Sequence, residues 1–250
     1  VVDSAAIRVE GTSMGLKEGD TVTLRTLAHG MLLPSGNDAA NAAAVRIAGS
    51  KDAFAELMNE KARELGLEDT HYVTPSGLDA DGHYSSAYDL AILAAYALEN
   101  PDFREICCKE SAKVEFGNPP YGRWLKNHNK LLNLYPYAIG VKTGYTDDAK
   151  RCLVTAAQKD GVTLIAVTLA AQDDFNVHKK LYERYFGELT QQDLTPALPD
   201  LELPVTGGQA ATVGLEPVRP PVAALRAGER DRMQFQVEAP KFAYAPVKRG

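Results

Sequence analysis

The chain has 250 residues, 45% of them hydrophobic and 24% charged, with a net charge of −6. That balance suits one large globular domain, or a medium one and a small one, and it offers no basic field for nucleic acid. The longest nearly apolar run, Val162 to Ala171, is far short of a membrane span. Cys107, Cys108 and Cys152 cannot all pair and show no Cys-x-x-Cys spacing, which leaves them as free thiols.

Asp3 to Val9 alternates enough for a short strand, and Gly11 to Asp20 is a glycine-rich loop. Thr23 is placed to cap a helix over Leu24 to Leu33 that must end before Pro34. A second helical run, Ala39 to Ala48, stops at Gly49. Ser50 caps a third over Lys51 to Leu65, with Ala53, Phe54, Leu57, Met58 and Leu65 on one face. Thr74 to Tyr84 is crowded with turn residues. Ser86 and Asp89 then form a capping-box pattern before Leu90 to Leu98. Strand-like pieces follow at Lys113 to Phe116 and Arg123 to Lys126.

The stretch from Tyr137 to Ala171 predicts three neighbouring strands. Lys142-Thr143-Gly144 lies on the first, and Asp160-Gly161 forms the hairpin turn between the runs Cys152 to Ala157 and Val162 to Ala170. A closing helix is expected over Phe175 to Phe186. Composition shifts near Thr190, and eight of the 14 prolines lie from Pro196 onward. Met233 to Glu238 alternates strictly, as a half-buried strand does. These patterns predict an α/β (α+β) chain in two parts: residues 1–189 with an antiparallel sheet flanked by helices, and a small all-β unit over residues 190–250.

Two short motifs carry chemistry. Lys142-Thr143-Gly144 on an exposed strand could meet a peptide carboxylate, or be an ordinary solvated strand end and turn. Ser35-Gly36-Asn37 stands at a helix entrance, where Ser35 with Asp38 three residues later also reads as a capping box. The two readings of Ser35 are compatible, because a cap position projects polar atoms at a helix end.

With their surroundings, Leu32-Leu33-Pro34-Ser35-Gly36-Asn37-Asp38-Ala39-Ala40 and Gly140-Val141-Lys142-Thr143-Gly144-Tyr145-Thr146 resemble the second and third active-site motifs of D-alanyl-D-alanine carboxypeptidases. These are low-molecular-mass penicillin-binding proteins with the serine acyl-enzyme fold of class A β-lactamases. Glu10 to Leu16, His83 to Ala91 and Asn127 to Leu132 are similar to the family too, so the likeness runs from about residue 3 to residue 187. It implies a β-lactamase/transpeptidase-like fold and a substrate ending in D-Ala-D-Ala, the peptidoglycan stem peptide. It further implies β-lactam antibiotics as inhibitors, no cofactor and an extracytoplasmic location. Membrane association would come through a C-terminal segment not in this chain. By the same resemblance, Ser35 relays a proton to the leaving amine and Asn37 holds the substrate amide. Lys142 and Thr143 take the terminal carboxylate, Gly144 admits the substrate backbone, and the Tyr145 N–H is half of an oxyanion hole.

The family's first motif, Ser-x-x-Lys, is absent: the residues three after the eight serines are Ile7, Leu16, Asp38, Ala53, Asp79, Tyr88, Asp89 and Val114. The resemblance places the nucleophile upstream of Val1, so the chain is expected to be an N-terminally incomplete, inactive portion of an enzyme. A non-catalytic cell-wall-binding pseudoenzyme is the alternative. A rival from another class is an α/β-hydrolase using Ser13, since Gly11-Thr12-Ser13-Met14-Gly15 matches a nucleophile elbow behind the expected Ala5 to Val9 strand. His71, His83, His128 and His178 have no metal-ligand spacing, so no metal is expected. Arg151 stands where a small or neutral residue is expected.

Overall fold

The structure is a computed structural model that describes residues 1–248; Arg249 and Gly250, the end of the expected C-terminal unit, lie outside the described residues. The chain divides into two compact units, residues 1–158 with 163–183, and residues 159–162 with 184 onward.

The first unit opens on a short helix, α1 (Ser4–Ile7), where a strand was expected. The Asp3 carboxylate accepts the Ala5 amide at 2.7 Å and caps it, and a side-chain cap beside two alanines favours helix over extended chain. Thr23 caps α2 (Leu24–Leu32) by accepting the Thr26 amide. Helices α3 (Asn37–Ala48) and α4 (Lys51–Glu64) follow, α3 ending on Gly49 at φ 82° and α4 capped by Ser50. Ser86 caps α5 (Ala87–Glu99), three residues earlier than expected. The partner half of that box is absent, because the Asp89 carboxylate instead accepts the Asp69 amide and the Thr70 hydroxyl. Helix α6 (Pro101–Cys107) and the antiparallel pair β1 (Ser111–Gly117) and β2 (Pro120–Lys126) complete the first core. Leu27, Leu33, Ala39, Ala43, Ile106 and Phe116 are its buried centre.

A short helix, α7 (Leu131–Leu134), leads into a three-stranded sheet of order β3 (Ala138–Thr146), β4 (Lys150–Lys159), β5 (Val162–Leu169). Both turn residues before β5 have positive φ, Asp160 at 48° and Gly161 at 80°, as an Asp-Gly hairpin turn requires. One face of the sheet packs Ala156, with Val154 beside it, against Ala94, Leu98 and Cys107. On the other face Thr155 hydrogen-bonds His178 Nδ1 and the Tyr182 hydroxyl, each at 2.6 Å, from α8 (Asp174–Glu188). Burial of His178 pushes its pKa down to about 4, so the network holds a neutral imidazole at physiological pH.

In the second unit β6 (Thr190–Asp193) pairs antiparallel with β9 (Val222–Leu225). The strand β7 (Glu202–Thr206) lies between β8 (Thr212–Gly214), antiparallel, and β10 (Ala243–Tyr244), parallel. The alternating stretch Met233 to Glu238 forms no strand. Alternation alone does not make a strand unless a neighbour takes its backbone hydrogen bonds.

Candidate active site

The turn between α2 and α3 places the first functional group. The Leu33 amide closes α2 on the His29 carbonyl, Pro34 ends it, and the Gly36 amide returns to the Gly30 carbonyl at 2.8 Å. To make that return, Ser35 takes a left-handed backbone, φ 61°, a conformation that costs a non-glycine residue about 1–3 kcal/mol. The strain points the Ser35 hydroxyl at the sheet, where it accepts a hydrogen bond from Lys142 Nζ at 2.6 Å, 107 residues away in sequence.

Ser35 is therefore not the helix cap that its spacing to Asp38 predicts. Gly36 holds the cap position of α3 and makes no side-chain cap bond. Nor is there room for one: a Cβ on Gly36 would lie 2.8 Å from Asp38 Oδ1 and 2.9 Å from the Met14 amide. Replacing Gly36 with Ala is expected to destabilise the protein by about 1–3 kcal/mol through overpacking, measured as a lower urea midpoint.

The missing cap is made up by Asp38 in another way. Its buried carboxylate takes the Ser13 hydroxyl at 2.6 Å and the amides of Met14, Gly15 and Leu16 at 2.9–3.0 Å. The loop 11–16 is thereby held against the start of α3. Asn37 is tied into the same loop, its amide to the Thr12 carbonyl and its Nδ2 to the Glu10 carbonyl at 2.9 Å.

Lys142 comes from β3, the end strand of its sheet, paired with Val154 of β4. Among the described residues its ammonium meets only neutral acceptors, the Ser35 hydroxyl and the Thr143 carbonyl. Burial without a charged partner lowers its pKa from 10.5 to about 8. Ser35, Asn37, Lys142, Thr143, Gly144 and Tyr145 all line one cleft of about 750 Å³, together with Gly11 and Thr12. Tyr145 is largely exposed. Gly144 has no protein neighbour that requires it: a Cβ there would meet Cys152 at an ordinary 3.7 Å. The packing of the fold therefore does not demand a glycine at this position.

Several cleft residues lie outside the two short motifs. His128 lines it, its pKa lowered by burial and then by the Lys142 charge. Ser76 and Gly77 come from the turn-rich loop, which His83 braces by accepting the Val73 and Thr74 amides. Arg151 and Asp174 line the cleft as well. A second cavity, about 620 Å³ and apolar, shares Lys142, Thr143, Gly144 and Cys152 with the cleft. Phe54, Leu57, Met58 and the buried Ala62 of α4 line this cavity.

The sequence pattern of the D-alanyl-D-alanine carboxypeptidase family matches residues 2–173. The chain belongs to that family. It is 39% identical over 172 residues to the D-alanyl-D-alanine carboxypeptidase DacF of Bacillus subtilis, covering 66% of this chain and 42% of that protein. With DacD of Escherichia coli K12 it shares 40% over 165 residues, 65% of this chain and 41% of the relative. The chain thus spans less than half the length of either carboxypeptidase. Among solved structures, a D-alanyl-D-alanine carboxypeptidase from Mycobacterium tuberculosis H37Rv aligns with a TM-score of 0.70 and 36% identity, covering 75% of this chain and 73% of that one. A mutant of the Streptomyces K15 DD-transpeptidase aligns with a TM-score of 0.64 and 34% identity, covering 69% of this chain and 70% of that one.

Membership of the carboxypeptidase family agrees with the geometry around Ser13, which does not make a nucleophile elbow. A helix, not a strand, precedes it, and the next helix begins only at Leu24. Its hydroxyl is spent on Asp38 and on accepting the Gly15 amide at 2.8 Å.

Proposed function

We propose that this chain supplies the proton-relay and carboxylate-anchoring side of a serine D-alanyl-D-alanine carboxypeptidase that trims peptidoglycan stem peptides through an acyl-enzyme. The observation that carries the reading is the 2.6 Å contact of Lys142 Nζ with Ser35 Oγ in a cleft shared with Thr143 and Tyr145. A serine hydroxyl held by an ammonium is suited to pass a proton to a leaving amine. The same ammonium, on an edge strand, is suited to the terminal carboxylate. The β3 backbone beside Gly144 would pair the extended substrate, with the Tyr145 N–H as one donor to the developing oxyanion. Penicillins, with a similar carboxylate and a strained amide, would occupy the same place. The setting would be outside the cytoplasmic membrane, where the substrate is; finding the product of the whole gene solely in the cytosol would contradict this.

None of the eight serines in residues 1–250 has a lysine three residues later; the second reading is a cell-wall-binding module that keeps the cleft without turnover. Residues 1–250 are expected to gain no mass on incubation with benzylpenicillin. An adduct on Ser35 would overturn its relay role, and one on Ser13 would revive the elbow. The protein from the whole gene separates the two main readings. Release of D-alanine from an acylated D-Ala-D-Ala peptide supports the enzyme, binding without release supports the module, and neither result would sink both.

A further inference from the structure

Arg151 is the residue in the cleft wall that the family resemblance leaves without a role. In the β3–β4 register Arg151 pairs with Tyr145, and Thr143 pairs with Leu153. Arg151 and Thr143 are therefore diagonal neighbours on one face of the sheet, about 7–8 Å apart at Cα, a gap that a long side chain bridges. The guanidinium is not left to wander. Nη2 donates to Asp174 Oδ1 at 2.7 Å and Oδ2 at 2.9 Å, and Nε donates to Oδ2 at 3.2 Å. Its central carbon lies 5.7 Å from the centre of the Phe175 ring.

The two partners differ in exposure. The Asp174 side chain is 4% exposed, the Arg151 side chain 54%, and both line the cleft. Nη1 has no partner among the described residues. A buried carboxylate thus grips one edge of the fork, and Nη1 is left unpartnered among the described residues on a half-exposed side chain that lines the cleft. A guanidinium used only to neutralise Asp174 would gain by being covered; a fixed fork with a free edge is suited to a second carboxylate.

We propose that Arg151, pinned by Asp174, is a substrate-binding residue that reads the free carboxylate of the C-terminal residue from the side opposite Lys142. It thereby sets a preference for peptides that end there over peptides that continue or are amidated. The inference rests on the reading of Lys142 and Thr143 as the carboxylate anchor. Two cations around one carboxylate reward the charged terminus and leave an amide terminus with an unmatched field.

The test uses the protein from the whole gene and two probes, a diacetylated Lys-D-Ala-D-Ala peptide as the free acid and as its C-terminal carboxamide. Each is measured as kcat/KM and, by calorimetry, as a dissociation constant, so a protein without turnover still answers. Replacing Arg151 with Gln should weaken the acid roughly tenfold or more, mainly through KM, and change the amide little, so that the acid-to-amide ratio falls. Arg151→Lys should recover part of the ratio. The double change Arg151→Gln with Asp174→Asn removes the stranded buried charge and guards against a folding loss; it should show the same lowered ratio. A ratio unchanged in both variants, with acid and amide falling together or not at all, would overturn the proposal and leave Arg151 as a structural partner of Asp174. The parent reading fails separately: if Lys142→Met also leaves the ratio unchanged, the anchor itself is wrong. If Lys142→Met lowers the ratio and Arg151→Gln does not, only the role of Arg151 is lost.

Discussion

Replacing Lys142 with Met in the protein from the whole gene is expected to slow acylation by a fluorescent penicillin by roughly one to two powers of ten. The size follows from the about 1.5–3 kcal/mol that a hydrogen bond to a charged group contributes. Met keeps the length and apolar stem of the lysine and removes only the ammonium that Ser35 accepts from and that, on the proposed reading, the incoming carboxylate would share. If the ammonium also tunes the relay through Ser35, the loss reaches the range seen when a transition-state donor is removed, about 2.7–4 kcal/mol. Lys142→Arg should rescue only partly, because a planar fork does not fill the place of a point charge. Unchanged acylation by the Met variant would return Lys142-Thr143-Gly144 to an ordinary strand end.

The lowered pKa of Lys142 gives the same role a pH signature. The group is protonated below about pH 8 in the folded protein, so acylation should fall as pH rises through that value, and the Met variant should lack this alkaline limb. The stability linkage has the opposite sign to that of a salt-bridged lysine. The folded pKa of about 8 lies below the ordinary 10.5, so between those values the unfolded chain binds more protons and stability rises with pH. Below about pH 8 the buried charge is a full cost. The Met variant should therefore melt no lower than the wild type near neutral pH, and a fall of several degrees there would show that Lys142 is structural.

What the sequence revealed and what it hid follow from the range of the forces involved. The helix from Lys51 and the Asp160-Gly161 turn depend on neighbours a few residues away, and short-range chemistry predicts both. The strand expected over Asp3 to Val9 failed for an equally local reason, since alternation over so few residues is weaker than one capping carboxylate. Ser35 and Lys142 were legible only through the resemblance of their motifs; no periodicity brings together two residues 107 apart. Asp38 was misread because an acid near a helix start usually serves that helix, and this one serves a loop 22–25 residues earlier. Arg151 was visible as an oddity, but its meaning depends on Asp174, which β4 meets only after the hairpin and β5 have returned the chain.

The largest effect on stability is expected at Asp38. Replacing it with Ala leaves the buried amides of Met14 and Leu16 and the Ser13 hydroxyl without their acceptor, while the Gly15 amide keeps only the Ser13 oxygen. An unsatisfied buried donor costs about 1–3 kcal/mol, and partial rehydration of the loop should hold the total near roughly 3–5 kcal/mol, at the high end for a single change. In a protein of this size that is a fall in Tm of roughly 6–20 °C. Asp38→Asn is the informative variant. Oδ1 accepts from the Met14 and Ala39 amides, and Oδ2 from Ser13, Gly15 and Leu16. Either orientation of the carboxamide sets an NH₂ group against N–H donors. If Asp38 works through its acceptors, Asn should destabilise almost as much as Ala. If it works only through charge near the start of α3, where an acid contributes about 0.3–1 kcal/mol, both variants should melt within a few degrees of the wild type. Acylation should fall with stability, because Thr12 and Glu10 of the same segment hold Asn37 at the cleft. Full acylation in a loosened Asp38→Ala variant would mean that this loop is dispensable to the site.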